Sequence, residues 1–231
     1  MFYGWKVCSV SCLGNLLVVG GVTYIMNAFM EPMSTLHGWT RADIGGAVGL
    51  ATLCGTLSMP VLASLAMRYS LRLMTTLGMA CGGLAFMGLG YAGTLPSFTA
   101  LFALAWVAGQ ACGGVVGNAL IGNWFVRCRG RAFGLANLGT SLSGALLPFV
   151  ALCDVRMAFL VIGGFILALV PLCWAVVRDT PEELGLSSDG VPPLASAAPI
   201  SPIIVPWRNL LVCREAYCIG LSFGFGLLAA A

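Results

Sequence analysis

The sequence predicts an all-α membrane protein, built from six transmembrane helices and the beginning of a seventh. Hydrophobic residues make up 59% of the 231 residues and charged residues only 8%, whereas a soluble domain carries about 25% charged residues. The mean hydropathy of +0.98 is correspondingly high. The third observation is the spacing of the charges, which leaves uncharged stretches as long as a bilayer requires.

These uncharged stretches place the six spans. A stretch of 24 residues follows Lys6 and another follows Asp43, and each suits one helix because the hydrocarbon core takes about 20 apolar residues. The stretch of 54 residues after Arg72 holds two helices, separated by a turn-forming Thr-Leu-Pro-Ser sequence at 94–97. Two further stretches hold one helix each. The predicted spans are 7–29, 44–66, 71–93, 97–122, 132–153 and 157–177.

The C-terminal part of the chain reads as a linker followed by a short apolar run. Residues 178–215 are polar and proline-rich, which is typical of an irregular linker and not of a folded domain. Residues 216–231 are apolar but few for a span, and we interpret them as a truncated seventh helix, with a reentrant or interfacial tail as the alternative. The expected organisation is therefore a bundle at 1–177, a linker at 178–215 and a seventh helix at 216–231.

The basic residues predict the orientation in the membrane. If the N-terminus is cytoplasmic, nine basic residues lie on the cytoplasmic side and two, Arg41 and Arg156, on the outer side. This asymmetry follows the positive-inside rule. We therefore expect an integral protein of the cell (inner) membrane, with its N-terminus and the 178–215 linker in the cytoplasm. The basic residues are spread over several loops, so the net charge of +3 does not indicate a nucleic-acid partner.

The sequence lacks the residue patterns of an enzyme or a metalloprotein. His37 is the only histidine, so no cysteine pair has the histidine partners of a zinc site. Most of the ten cysteines fall within the predicted spans, where they pack as small apolar residues. There is no phosphate-binding loop and no nucleophile with a neighbouring base. We expect no catalytic site, no cofactor and no bound metal.

Apart from Arg72 at the very start of the third, the predicted spans contain neutral polar side chains and no charged ones, so the usual sign of an ion or proton pathway is missing. Gln110, Gly114 and Asn118 are spaced to share one helical face. An amide that faces lipid is costly, so this face should point at protein or a water-filled cavity. Helix–helix hydrogen bonding and substrate contact are both open interpretations. The candidate cavity residues are Asn15, Tyr24, Asn27, Gln110, Asn118, Asn137 and Thr140.

Glycines at four-residue spacing predict close helix packing. Gly109, Gly113 and Gly117 follow this spacing in the fourth predicted span. Small residues let backbones approach closely in a membrane, where no hydrophobic effect drives helices together. Gly88 is expected to lie on a peripheral helix, at a position that tolerates a larger side chain.

Sequence motifs occur at 3–5 (YGW), 24–29 (YIMNAF), 38–41 (GWTR) and 124–139 (WFVRCRGRAFGLANLG). They resemble the major facilitator superfamily, specifically its monocarboxylate transporter and oxalate/formate antiporter branch. YGW at 3–5 is similar to that branch's opening of the first helix, and YIMNAF at 24–29 with GWTR at 38–41 resembles the junction of the first two helices in bacterial members. The most specific match is WFVRCRGRAFGLANLG at 124–139, in which two aromatics and a basic cluster lead into the fifth helix. Residues 154–159 and 180–186 also fit the branch.

The resemblance covers essentially the whole chain and implies the N-terminal six-helix bundle of a twelve-helix secondary transporter. Full-length relatives move small organic anions, of the monocarboxylate or oxalate/formate type, by alternating access between two bundles. The implied partners are the lipid bilayer, the anion, and either the missing C-terminal half or a second copy. The alternatives are a major facilitator carrier for a drug or sugar, or a truncated membrane protein that does not transport. The residues that would anchor or gate the cytoplasmic face are Arg68, Arg72, Arg127, Arg129 and Arg131.

Two departures from the family pattern bear on mechanism. In the loop after the second helix, ASLAMRYS at 63–70 has Met67 where the superfamily has an aspartate that helps to hold the two halves together. In animal monocarboxylate transporters a lysine of the first helix handles protons and substrate, and Tyr24 aligns with it here. The resemblance therefore does not support proton coupling through that position.

Overall fold

The computed structural model describes residues 2–150 and 154–188, apart from the side chains of residues 26, 27, 147, 148 and 150. The predicted seventh helix and most of the predicted linker lie outside the described residues. The described part is helical and contains no strand. Its elements are α1 (Gly4–Gly14), a π-helical segment (Asn15–Val19), α2 (Gly20–His37), α3 (Arg41–Ala66), α4 (Leu71–Leu89), α5 (Leu95–Cys112), α6 (Val115–Trp124), α7 (Arg129–Val150), α8 (Val155–Val176) and a 3₁₀ turn (Pro181–Leu184).

The helices fall on the predicted spans, and the prediction of an all-α bundle is confirmed. Helical structure continues from α1 through the π segment into α2, so these three form the first span, and α5 and α6 together form the fourth. Five helical stretches in the described part are long and apolar enough to cross a membrane. The remaining predicted span corresponds to α7, which has 22 residues but is made more polar by Asn137, Thr140 and Ser141.

Polar residues at the helix starts explain where several helices begin. The Thr40 hydroxyl accepts a hydrogen bond from the Asp43 amide at 3.1 Å, and the Asp43 carboxylate accepts one from the Thr40 amide at 3.0 Å. This reciprocal capping box satisfies two amides that have no partner within α3. Thr94 accepts a hydrogen bond from the Ser97 amide at 3.4 Å and starts α5, as the predicted turn at 94–97 requires. α2 ends at Gly38, whose φ of 68° suits a residue without a Cβ atom.

The bundle has two closely packed groups of helices that meet at α5. In the first group, α1, the π segment and α2 pack along α7. In the second, α4 packs against both α5 and α8, and α3 packs against α5. The π segment also contacts α5 and so joins the groups. Three fully buried rings, Phe29 of α2, Phe86 of α4 and Phe159 of α8, lie 5.2–6.3 Å apart and form part of the apolar core.

Glycines bring helix backbones into direct contact at two crossings. A Cβ atom on Gly139 of α7 would overlap the carbonyl oxygen of Cys12 in α1. A Cβ atom on Gly163 of α8 would lie 2.8 Å from the carbonyl oxygen of Gly83 in α4. At Gly88 a Cβ atom would lie 2.9 Å from a terminal methyl group of Leu101, which a rotamer change can move, so the tolerance of this position to a larger side chain stays a prediction. Gly134, in contrast, has no atom within 4 Å of its Cβ position.

We expect Gly139→Ala to lower the free energy of unfolding by about 1–3 kcal/mol, the usual cost of overpacking. The clash is with a main-chain carbonyl, which cannot move aside without displacing α1. Gly134→Ala, in the same helix, is the matched control and should be neutral or stabilising, because alanine has the higher helix propensity. Unfolding in mixed micelles of increasing denaturing detergent measures the difference. Equal stabilities of the two variants would contradict backbone contact between α1 and α7.

Candidate functional site

The fourth span is interrupted at Gly113 and Gly114. Both glycine amides donate to the Gly109 carbonyl at 3.0 Å, and regular bonding resumes with the Asn118 amide, which donates to the Gly114 carbonyl at 3.1 Å. The amides of the first turn of α6 therefore have no intrahelical partner. Adjacent glycines favour such a break because they adopt non-helical backbone angles at little cost, and Gly114 has φ −69° and ψ −107°. Consequently Gln110 and Asn118 do not share one continuous helix, contrary to the prediction.

Asn15 packs directly against this break. Its side chain is 3% exposed, and its Nδ2 donates to the Ala136 carbonyl of α7 at 2.9 Å. Its Oδ1 occupies the place where a Cβ atom on Gly113 would lie. Gly113 is thus closely packed, as predicted, but against the Asn15 and Val19 side chains and not against another backbone. Asn15 thus connects the π segment, α7 and the junction of α5 with α6.

The break lies inside the apolar stretches of two spans, away from their ends. Asn15 is near the middle of Gly4–Ile25, the part of the first span long and apolar enough to cross a bilayer. Because Asn15 contacts Gly113, the break has a similar depth. The π segment begins at Asn15, and π-helical turns inside α-helices are frequent at functional sites.

The predicted anchor arginines differ in their surroundings. The Arg72 guanidinium donates to the Trp174 carbonyl of α8 at 2.6 and 2.9 Å and lies 4.0 Å from the centre of the Trp174 ring. The Arg129 guanidinium donates to the Phe125 and Gly122 carbonyls at 2.8 and 3.0 Å. Both arginines therefore satisfy carbonyl groups at the C-terminal end of a helix, where a cation is favoured.

The other three predicted anchor residues, Arg68, Arg127 and Arg131, are exposed. Within the described residues, the side chains of Arg68 and Arg131 make no hydrogen bond or ion pair. They are therefore available to a partner outside the described part of the chain, such as a lipid or a second bundle.

Two hydrogen bonds tie the C-terminal end of α8 and the segment after it to the start of α1 and the end of α6. The Tyr3 hydroxyl donates to the Val176 carbonyl at 2.8 Å, and the Trp124 indole donates to the Arg178 carbonyl at 2.9 Å. The Tyr3 and Trp124 rings also lie 5.5 Å apart. The sequence motifs at 3–5 and 124–139 include these two aromatics, but the carbonyl groups that they bind could not be identified from the sequence.

Comparison with known families agrees with this helical architecture. A family model of the Major Facilitator Superfamily matches residues 12–231. The chain belongs to this superfamily. Its members are transporters and not enzymes, and the chain is an integral membrane protein. A comparison with curated proteins gives no match.

In this major facilitator bundle, two of the candidate cavity residues lie beside the break. Gln110 is half-buried, and its Oε1 occupies the place of a Cβ atom on Gly114. Asn118, one turn into α6, has an exposed side chain. Together with the first-turn amides of α6, these two side chains make the surroundings of the break polar.

Three other candidates lie along α2 and α7. The Tyr24 ring is half-buried and lies 3.4–3.5 Å from the Cβ position of Gly144. The Thr140 carbonyl accepts a hydrogen bond from the Ser143 hydroxyl at 2.6 Å. Asn137 is exposed, and its Nδ2 donates to the Phe133 carbonyl of its own helix at 2.9 Å. The side chain of Asn27 lies outside the described residues.

Two buried hydroxyl groups near the break were not singled out by the sequence. Ser11 of α1 is 2% exposed and Thr75 of α4 is 1% exposed, and neither hydroxyl has a hydrogen-bond partner within the part of the chain that the structure describes. The neighbouring turns of both helices contact Cys112, through Gly14 and Gly78. Each hydroxyl therefore lies about one helical turn from a glycine that contacts the residue before the break. Serine and threonine are too common in membrane helices for the sequence to mark them as special.

We expect Asn15→Leu to lower the free energy of unfolding by about 0.6–1.7 kcal/mol, the range for interhelical hydrogen bonds in membranes. The substitution removes the bond to Ala136 and places a branched side chain against Gly113. Asn137→Leu is the control, because the Asn137 amide bonds within its own helix and is exposed. Reversible unfolding in mixed micelles is the measurement. A loss at position 137 as large as that at position 15 would show that Asn15 does not join the helices.

Proposed function

We propose that this major facilitator chain forms half of the substrate pathway of a secondary active transporter for small organic anions. The observation that supports this proposal is the interruption between α5 and α6, inside the apolar stretch Leu95–Trp124. The N-terminal end of a helix carries a partial positive charge and unpaired amides, which bind anions. In other secondary transporters, interrupted helices direct such ends at anionic substrates.

The first turn of α6 supplies positive potential in the fourth span, which has no charged side chain of its own. Gly114 and Val115 are half-buried, so the first amide of α6 is partly accessible. Gln110 lies against Gly114, where its side-chain amide can donate to a bound carboxylate. A small monocarboxylate, oxalate or formate would thus be held by main-chain and amide donors. The motifs at 24–29 and 124–139 favour the same substrate class.

Transport requires a second bundle. In alternating access, two bundles rock about a shared site near the middle of the membrane. The partner would cover the polar residues Asn118 and Asn137, which are exposed in this bundle. A C-terminal half or a second copy of the chain would serve this purpose.

We expect Gln110→Glu to raise the dissociation constant for oxalate at least roughly tenfold at neutral pH, because a negative charge about 4 Å from a carboxylate is strongly repulsive. Asn123→Asp is the control, since it makes the same change of amide to carboxylate at an exposed position near the end of α6, away from the break. The measurement is equilibrium binding of labelled oxalate to the purified chain in lipid nanodiscs, with formate and lactate as competitors.

A similar loss of affinity in both variants would mean that the anion responds to net charge and does not bind at the break. Saturable binding of a labelled sugar, with none of the three anions, would favour the sugar-carrier hypothesis. Uptake into proteoliposomes is measured separately, because a single bundle could bind the anion without moving it.

We also propose that the N-terminus and the 178–188 segment are cytoplasmic in an inner membrane. The support is the distribution of nine basic residues on one side against two on the other. In a background without Cys213, Ser188→Cys should not react with a membrane-impermeant maleimide in intact cells, and should react after permeabilisation. Gly93→Cys, at an exposed position of the opposite side, is the control that should react in intact cells. The reverse labelling pattern would refute the orientation.

A further inference from the structure

We propose that the groove between α3 and α4 binds one acyl chain of a phospholipid with an anionic headgroup. The groove has a volume of about 380 Å³, and α5 forms its floor. Its walls include Leu62 and Leu65 of α3 and Leu73 and Leu77 of α4. This site is distinct from the helix break, and the proposal does not depend on the transported substrate.

The groove follows from how the three helices pack. α3 and α4 both pack extensively against α5 but hardly touch each other. Gly78 holds α4 close to α5, because its Cβ position lies 3.0 Å from main-chain atoms of Ala111 and Cys112. The larger side chains on either side of Gly78 then form a wall above α5, and α3 forms the opposite wall. The result is an elongated apolar space along the bundle surface.

The length of the groove matches one leaflet of a bilayer. Its lining begins at Tyr69, just before α4, and the part on α4 runs from Leu73 to Cys81, which is about 12 Å at 1.5 Å per residue. The hydrocarbon core of a bilayer is about 30 Å thick, so one leaflet contributes about 15 Å. An acyl chain that entered beside Tyr69 would therefore end near Cys81, towards the middle of the membrane.

The polar end of the groove carries a suitable partner for an anionic headgroup. Tyr69 lines this end, and aromatic residues with a polar group favour the membrane interface. Arg68 precedes it, is exposed, and has no side-chain partner within the residues that the structure describes. Arg72, on the next turn, is instead held by the Trp174 carbonyl. Arg68 is thus the cation that a phosphate group above the groove would meet.

The chemistry of the lining selects lipid over a hydrated solute. Apart from the Tyr69 hydroxyl and the Cys81 thiol, the side chains that line the groove are hydrocarbon or thioether groups. A carboxylate or sugar would lose its water there without gaining hydrogen bonds, which is costly. The exposed amides Asn118 and Asn137 belong to α6 and α7, which do not line this groove. An acyl chain, which has no polar groups to satisfy, fits these walls.

The test is native mass spectrometry of the purified chain with phosphatidylglycerol and with phosphatidylcholine of the same acyl chains. We expect one tightly bound lipid with a preference for phosphatidylglycerol. Arg68→Gln should weaken phosphatidylglycerol binding roughly fivefold, as expected for one basic residue near an anionic headgroup, and leave phosphatidylcholine unchanged. Arg131→Gln, which removes an equally exposed arginine outside the groove, should change neither.

A second variant tests the groove itself. Leu77→Trp places an indole in the groove and should weaken binding of both lipids. If the Leu77→Trp variant does not fold, Cys81→Phe is used in its place to fill the groove. Equal affinity for the two lipids, equal effects of Arg68→Gln and Arg131→Gln, or full lipid binding by the filled-groove variant would each overturn the proposal. A dimer that the filled-groove variant loses would show that a second copy occupies the groove, and would overturn it as well.

Discussion

The contact of Asn15 with Gly113 is the interaction on which the centre of this bundle depends. A bilayer offers no water to unpaired main-chain groups, so a helix can be interrupted within it only where protein or a polar cavity surrounds the break. Asn15 supplies part of that surrounding structure, because its buried amide contacts the interruption and bonds to α7. A larger residue at Gly113 would occupy the place of the Asn15 carbonyl oxygen. The small residue and the polar residue therefore require each other.

At the end of the bundle that contains Tyr3, the helices are held together by side chains that donate hydrogen bonds to main-chain carbonyl groups. The last turn of α8 and the segment after it offer carbonyl groups that no helix can use internally. Tyr3, Trp124 and Arg72 donate to them from three different helices. The Asp179 carboxylate accepts the Arg72 amide at 2.6 Å and so satisfies the first turn of α4 in return. Arg72 is therefore part of the fold at this end of the bundle, whatever part it has in gating.

The fold could be predicted from the sequence because the bilayer fixes the length of a span and excludes charge from it, so uncharged stretches mark the helices directly. The interruption at Gly113 was harder to predict from the sequence, since paired glycines are compatible both with close helix packing and with a break in the helix. No residue pattern in the sequence predicted the π-helical segment Asn15–Val19. The sequence marks Asn15 as a polar residue inside a span, but its bond to Ala136 depends on which helix lies beside it. Main-chain carbonyl groups such as those at the end of α8 are identical in every sequence, so their partners emerge only from the tertiary structure.

The contact between Gly139 and Cys12 has a mechanical consequence. Where two helices meet through side chains, small rotamer changes can absorb a displacement of one helix against the other. Here main-chain atoms meet directly, and no flexible group lies between them. Close-packed interiors of this kind transmit strain and do not dissipate it. A displacement of α7 would therefore displace the first span by a similar amount, and the two would tilt together as one rigid body.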